Sequence, residues 1–399
     1  MPTSEISFEN TEKAFIAKGN PELKRSLWLF KLMGKPALVK VFSKLIVFAI
    51  KIGLPIRLPI KATIFKQFCG GESIEESKDV VQKLNKSHIG SILDYSVEGK
   101  ESEEDFTHTK DEILKIIKVA KDNPAIPYTS LKLTGIAPMA LLEKMNSKQV
   151  LNKEEKTELQ TVRKRLEEIC NNASQSFVPI YFDAEETWIQ DAIDTLAEEM
   201  MEKYNKKTAI VLTTLQMYRW DRIEYLKKLI QTARDKKFFI GIKLVRGAYI
   251  EKENLRASQM GYKSPIQPTK DATDFDFDKA VDICLENVDL ITLCAGTHNE
   301  ESTMHLISKM GELKIPNDHP HVYFSQLYGM SDHITYNLAD AGYNVTKYLP
   351  YGPVKSVMPY LIRRAEENTG IAGQMGRELR LIIEEKNRRQ EAKLLTAGK

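Results

Sequence analysis

Polar side chains able to hold or polarise a ligand recur at the ends of successive short apolar runs in this chain. Lys132 closes SLKLTG, Asp183 follows in YFDAEE, Gln216 in TTLQMY, and Lys243 with Arg246 in IKLVRGAY. Thr297, His298 and Asn299 come next, then Gln326 and Tyr328, then Tyr348 in KYLPYG, with Arg363 and Arg364 in the segment after it. One lysine or arginine in such a place is ordinarily a solvated rim residue; seven consecutive runs that end alike are harder to dismiss. The set is cationic, with Lys132, Lys243, Arg246, Arg363 and Arg364 against Asp183 and Glu367. Guanidinium and ammonium groups gathered this way suit a phosphate or a carboxylate. The pyrophosphate of a dinucleotide and a carboxylate substrate together would use all five; without such ligands the five would repel one another. Two other classes stay open. One is a lyase or aldolase that forms a Schiff base on Lys132 or Lys243. The other is a non-catalytic scaffolding protein, against which the ordered polar ends argue.

Such groups need a frame that brings successive strand ends to one side. Apolar, β-branched runs predict strands over 91–97, 130–134, 178–183, 209–214, 239–245, 290–295, 321–326 and 344–349. Amphipathic stretches predict helices over 105–121, 139–173, 187–204, 220–235, 276–286, 301–310, 331–341 and 354–368. The stretch around 139–176 is too long for one barrel helix and reads as two, a charged insertion on the outside. Strands alternating with helices imply parallel pairing with right-handed crossovers. Eight such units close into an α/β barrel of the TIM-like (βα)8 type, whose ligands sit at the C-terminal strand ends. A doubly wound open sheet is the alternative, weakened because no G-x-G-x-x-G follows any strand. Residues 1–90 read as a helical arm, 91–370 as the barrel, and 371–399 as a charged C-terminal helix or tail. Arg363 and Arg364 point about 100° apart on a helix. Both meet one small ligand only if that helix lies above it; otherwise they are a surface pair. Glu367 can pair with either.

The ordered motifs FDAEE, KLVRGAY, THN, FSQLYGM and YLPYGP…PYLIRRAEEN resemble the proline dehydrogenase family from Ile92 to Thr369, and KATIFKQFCGGES resembles its region before the barrel. Arg-Arg followed three residues later by Glu is the most specific of these elements. The resemblance implies a distorted (βα)8 barrel whose last helix sits over the strand ends. It implies FAD held non-covalently, with Lys243 under the flavin near its reactive nitrogen and Asp183 as the active-site carboxylate of strand three. Ala184, Gln216, Arg246, Gly247, Ala248, Thr297 and His298 would line the cofactor. Arg363, Arg364 and Lys132 would bind the substrate carboxylate, and Leu327, Tyr348 and Tyr360 would pack on the proline ring. The implied reaction takes a hydride from C5 of L-proline and yields pyrroline-5-carboxylate, the first step of proline catabolism to glutamate. Asp183 is expected to orient Lys132 or an arginine. Many bacterial members carry Arg at the Lys243 position and Lys at the Arg246 position; the exchange resembles the eukaryotic branch. A small residue stands at the Tyr348 position in the hydroxyproline-preferring branch, so tyrosine predicts a preference for proline. The family's typical electron acceptor is a membrane quinone. No aldehyde dehydrogenase region follows the barrel motifs, so a monofunctional enzyme with a separate aldehyde dehydrogenase downstream is expected.

Composition is compatible with this. Lys+Arg 58 against Asp+Glu 55 gives a nucleic-acid partner no support. Cys69, Cys170, Cys284 and Cys294 form no CxxC pair and fit no zinc spacing, so they read as buried thiols in a cytosol-like compartment, with no metal. The opening MPTSEISFENTEKAF resembles neither a secretory signal nor an Arg-rich transit peptide. Residues 37–60 are the most apolar stretch, but Lys40, Lys44 and Lys51 interrupt it. It reads as a basic amphipathic helix that packs on the protein or on a membrane surface. The expected location is cytoplasmic, with peripheral contact at the inner membrane face.

Overall fold

Runs such as VLTTLQ and IGIKLV are apolar or β-branched at nearly every position, the pattern of parallel strands covered on both faces. The computed structural model describes residues 6–52, 56–97, 101–370 and 372–397, without the side chains of 36, 40, 47–51, 366–370, 372–375 and 396–397. The strands are β1 (Ile89–Tyr95), β2 (Tyr128–Leu131), β3 (Ile180–Phe182), β4 (Val211–Gln216), β5 (Ile240–Val245), β6 (Ile291–Gly296), β7 (Val322–Leu327) and β8 (Val345–Tyr351). They close into a barrel in sequence order. The registered pairs from β1 to β7 are all parallel, with Thr214 beside Lys243 and Lys243 beside Cys294. Closure removes the open doubly wound sheet from consideration.

The longer helices are α1 (Asn20–Met33), α2 (Pro36–Lys51), α3 (Ile74–Asn85), α4 (Glu103–Ala120), α5 (Met139–Asn146), α6 (Lys153–Ser176), α7 (Thr187–Tyr204), α8 (Arg222–Lys236), α9 (Ile250–Met260), α10 (Lys270–Leu285), α11 (Glu300–Glu312), α12 (Asp332–Asp340), α13 (Met358–Gly370) and α14 (Ala372–Ala397). The stretch predicted as two helices is α5 and α6. Asn152 begins α6 with a reciprocal cap: its side chain accepts from the Glu155 N–H, and the Glu155 carboxylate accepts from the Asn152 N–H. Two expectations shift. β2 stops at Leu131, and Leu133–Gly135 form a 3₁₀ turn instead of more strand. The reason is tertiary: the Glu185 carboxylate takes both the Thr134 N–H, at 3.0 Å, and its hydroxyl. Helix α9 was not predicted, because IEKENLRASQM buries only Glu253 and Ala257 and so lacks an apolar stripe.

Two compact units divide the chain: residues 92–297 with 301–325, and residues 1–91 with 298–300 and 326–399. In the first, Tyr128 stacks on Tyr181 with centroids 5.1 Å apart and meets Tyr323 edge-on. Leu212 fills the space over Gly241, where a Cβ would lie 2.1 Å from its Cγ. In the second unit, Phe15, Leu23 and Phe30 from the N-terminal arm share one core with Val357, Leu361, Leu381 and Ile382 from the C-terminal segment. The arm and α13–α14 are therefore folded together, and α14 is anchored by apolar burial. Of residues 37–60, Val39 and Ile60 are buried, whereas Leu38, Val41, Phe42 and Leu45 are exposed. The side chains of Lys40, Lys51 and Glu367 lie outside the described residues. No helix among the described residues is long and apolar enough to cross a membrane. The four cysteines are buried and unbridged.

Candidate active site

In the unit built on residues 92–297, the strand ends carry an alternating chain of charge. Asp94 lies near the end of β1, Lys132 just past β2, Asp183 just past β3, and Lys243 on β5. Lys132 Nζ lies 3.2 Å from Asp94 and 3.1 Å from Asp183, and Asp183 in turn bonds Lys243 Nζ. The Ser130 hydroxyl donates to Asp94 at 3.0 Å, and Ser96 bonds it as well. Lys243 Nζ also stands 5.0 Å from the Tyr181 ring centroid, a cation–π contact. Asp94, Asp183 and Lys243 are all buried. Buried charges of this kind persist only when paired and hydrogen-bonded, and each one here is. Asp183 holds Lys132, as the sequence suggested, and it holds Lys243 too.

FDAEE does more than supply Asp183. Glu185 pins the turn after β2, and its carbonyl accepts from Gln216 Nε2 at 2.8 Å, which ties the end of β4 to the β3 loop. Glu186 bonds Lys252 of α9. Arg246 is spread over three partners: Nε to Asp274 at 2.5 Å, one terminal nitrogen to the Thr297 hydroxyl at 2.6 Å, the other to Ser302 at 2.8 Å. Its guanidinium lies 4.6 Å from the Phe277 ring. Burial would raise the Asp274 carboxyl, but the bonds from Lys270 and Arg246 outweigh it and hold the carboxyl below its usual range. Gly247 has φ +124°, and a Cβ there would lie 2.6 Å from the Tyr218 ring. Its glycine is thus required by the protein's own packing. Ala184 is half-buried and Ala248 exposed.

The remaining expected residues belong to the other unit. Tyr348 and Tyr360 are buried, as is Arg364, whose guanidinium lies 5.2 Å from the Tyr360 ring. Arg363, next on the helix, is half-buried. Leu327 packs against the cluster that contains Tyr360 and Leu361. His298 Nδ1 lies 2.9 Å from the Ser331 hydroxyl. Leu327, Tyr360 and Arg364 are thereby brought together within this unit.

A family model described as proline dehydrogenase matches residues 77–377. The chain belongs to that family. Among its relatives, "Proline dehydrogenase 1, mitochondrial" of Dictyostelium discoideum is 32% identical over 91% of this chain and 72% of its own length. "Hydroxyproline dehydrogenase" of Xenopus laevis is 31% identical over 94% of this chain and 88% of its own. The fold matches proline utilization A from Bdellovibrio bacteriovorus, solved after inactivation by N-propargylglycine, at a TM-score of 0.71 and 22% identity. That match covers 91% of this chain and 36% of the other, so this chain spans about a third of that protein.

Family motifs led to Lys132, Asp183 and Lys243 but not to Asp94 or Asp274. The signal for Asp94 was present in SILDY, an acidic residue inside an apolar run. Its counter-ion Lys132 lies just past the next strand, and only the barrel register brings the two together. These carboxylates also change the charge tally. Lys132, Lys243 and Arg246 face Asp94, Asp183 and Asp274, so this unit's site carries no surplus of positive charge.

Proposed function

We propose that this chain is an FAD-dependent enzyme that oxidises L-proline to pyrroline-5-carboxylate, with residues 91–370 as its catalytic part. The observation that carries the reading is the buried Asp94–Lys132–Asp183–Lys243 chain at the strand ends, in a chain of this family. The donor set suits a flavin: a buried ammonium held from two sides, with hydroxyl and amide donors on neighbouring strand ends. When bound, the flavin would accept the hydride from proline C5. Lys243 supplies the positive charge that favours the anionic reduced cofactor, and Asp183 and Tyr181 fix where that charge sits. Gln216, Arg246, Thr297, His298, Ala184, Gly247 and Ala248 would line the cofactor. Arg246, already committed to Asp274, Thr297 and Ser302, also holds the ends of β5 and β6 in place.

Arg363 and Arg364 take the substrate carboxylate with Lys132, and Leu327, Tyr348 and Tyr360 pack on its ring. Positioning by such groups converts binding into rate. Lys132 is held between two carboxylates, so most of the carboxylate affinity falls to the arginines. A membrane quinone would reoxidise the cofactor, and an aldehyde dehydrogenase activity would take the product. The exposed Leu38, Val41, Phe42 and Leu45 beside Lys44 support contact with a membrane surface. The location we favour is cytoplasmic with peripheral contact at the inner membrane face; the relatives named mitochondrial point instead to an organelle. The test is an absorbance spectrum of the purified protein, before and after anaerobic addition of proline. Bleaching of a flavin band supports the reading; a colourless protein that borohydride traps with its substrate would replace it with Schiff-base chemistry. The variant Arg363→Met should raise KM for proline at least tenfold, on the order of one charged hydrogen bond, with flavin still bound. Unchanged proline kinetics would remove Arg363 from the carboxylate site.

A further inference from the structure

Ser331 immediately precedes α12, at a position where a serine hydroxyl ordinarily accepts an N–H of its own helix. Here it makes no such cap. The hydroxyl instead meets His298 Nδ1 at 2.9 Å. Ser331 holds φ +51° and ψ +43°, a left-handed conformation in a residue that is not glycine, which costs roughly 1–2 kcal/mol. Something must hold it there. Its N–H donates to both carboxylate oxygens of Glu378, at 3.1 and 2.9 Å. Glu378 sits on α14, four residues before Ile382, and is 3% exposed. Apolar packing alone would seat that helix, so a buried carboxylate is a costly addition to it.

The other face of the imidazole fixes the proton. The Leu327 N–H points to His298 Nε2 at 3.5 Å. A backbone N–H only donates, so Nε2 accepts and Nδ1 carries the hydrogen given to Ser331. We propose that Glu378 is a positioning residue for the cofactor site: through Ser331 it holds the His298 ring in the orientation that presents Nε2 to the Leu327 N–H, and the Nδ1–H tautomer follows from that orientation. This rests on the reading that His298 contacts the flavin. It gives α14 a part in the chemistry that its composition did not suggest.

Glu378→Gln and Ser331→Ala, each in the native and the His298→Ala background, test the idea through two readouts on the purified holoenzyme. The first is the FAD dissociation constant. Both variants should weaken FAD about tenfold in the native background, the scale of one hydrogen bond, and less than about twofold once His298 is gone. The second is the side-chain ¹⁵N resonances of His298, which report the tautomer; the Nδ1–H form should be lost in both variants. Equal FAD losses in both backgrounds, or an unaltered His298 tautomer in Glu378→Gln, would overturn the proposal. If His298→Ala leaves FAD binding untouched, the cofactor role of His298 fails, and the tautomer alone decides whether Glu378 controls this histidine. Should Glu378→Gln fail to fold, Ser331→Ala against Ser331→Ala/His298→Ala carries the same comparison.

Discussion

Replacing Asp183 by asparagine removes the carboxylate that Lys132 and Lys243 share. At the 3.1 Å separation of Lys132 and Asp183, and with an effective dielectric near 20, one such attraction is worth about 5 kcal/mol before desolvation. Lys132 keeps Asp94 at 3.2 Å, and the asparagine oxygen still accepts one hydrogen bond. The net loss should therefore fall at the lower end of the 3–5 kcal/mol typical for breaking a buried pair, about 3 kcal/mol. Removing the Lys243 charge as well relieves part of that penalty. Urea unfolding of Asp183→Asn, Lys243→Met and the double variant gives the coupling directly. A favourable coupling of about 2 kcal/mol is expected, and it should persist from low to high salt because the pair is shielded from solvent. A coupling under about 0.5 kcal/mol, or one that salt abolishes, means the two groups behave as independent surface charges. The buried chain would then not be what holds Lys243 in place.

Gly247→Ala forces a left-handed alanine against the Tyr218 ring; a loss of about 2–3 kcal/mol, seen as a lower Tm by scanning calorimetry, is expected, and an unchanged Tm would refute the packing argument. Tyr348→Ser should shift the kcat/KM ratio from proline toward 4-hydroxyproline by about tenfold or more; an unaltered ratio removes this tyrosine as the discriminator. Acid should act through Glu300. Burial would raise its carboxyl, but bonds from His333 and Arg377 more than offset this and bring it from 4.5 to about 2. A depressed carboxyl stabilises fully above 4.5, and its contribution, at most about 3 kcal/mol, drains away as pH falls through about 2. The stability gap between the native chain and Glu300→Gln should therefore shrink between pH 5 and about 2. A constant gap across that window contradicts the assignment.

The strands were legible because each is a short apolar run with β-branched residues, and eight of them alternating with helices admit few closures. IKLVRGAY could be read both for its strand and for the two cations at its end. The end of β2 could not, because nothing local to SLKLTG says that Glu185, on the next strand's loop, will capture Thr134. Helix α9 was hidden for a related reason: what it buries is Glu253, whose carboxylate takes the Thr187 N–H at 2.7 Å and its hydroxyl at 2.6 Å. A helix that docks by a carboxylate has no apolar period to find.

The same limit governs the charges. Sequence gives the sign of a residue, whereas the field at a site depends on which opposite sign folds against it. Five cations at strand ends argued for an anionic ligand to relieve their repulsion. Three of them are relieved internally, by Asp94, Asp183 and Asp274, and two of these acids went uncounted because their partners lie on other elements. A charge-balanced chain does different work from a cationic pocket. It does not draw an anion in; it fixes an ammonium at one point, so that negative charge developing beside it meets a dipole already oriented. Under the proposed function, attraction for a free carboxylate then has to come from elsewhere, which moves that proposed role from Lys132 toward Arg363 and Arg364. On this reasoning Lys132→Met should disturb kcat more than the KM for proline, and Arg363→Met the reverse.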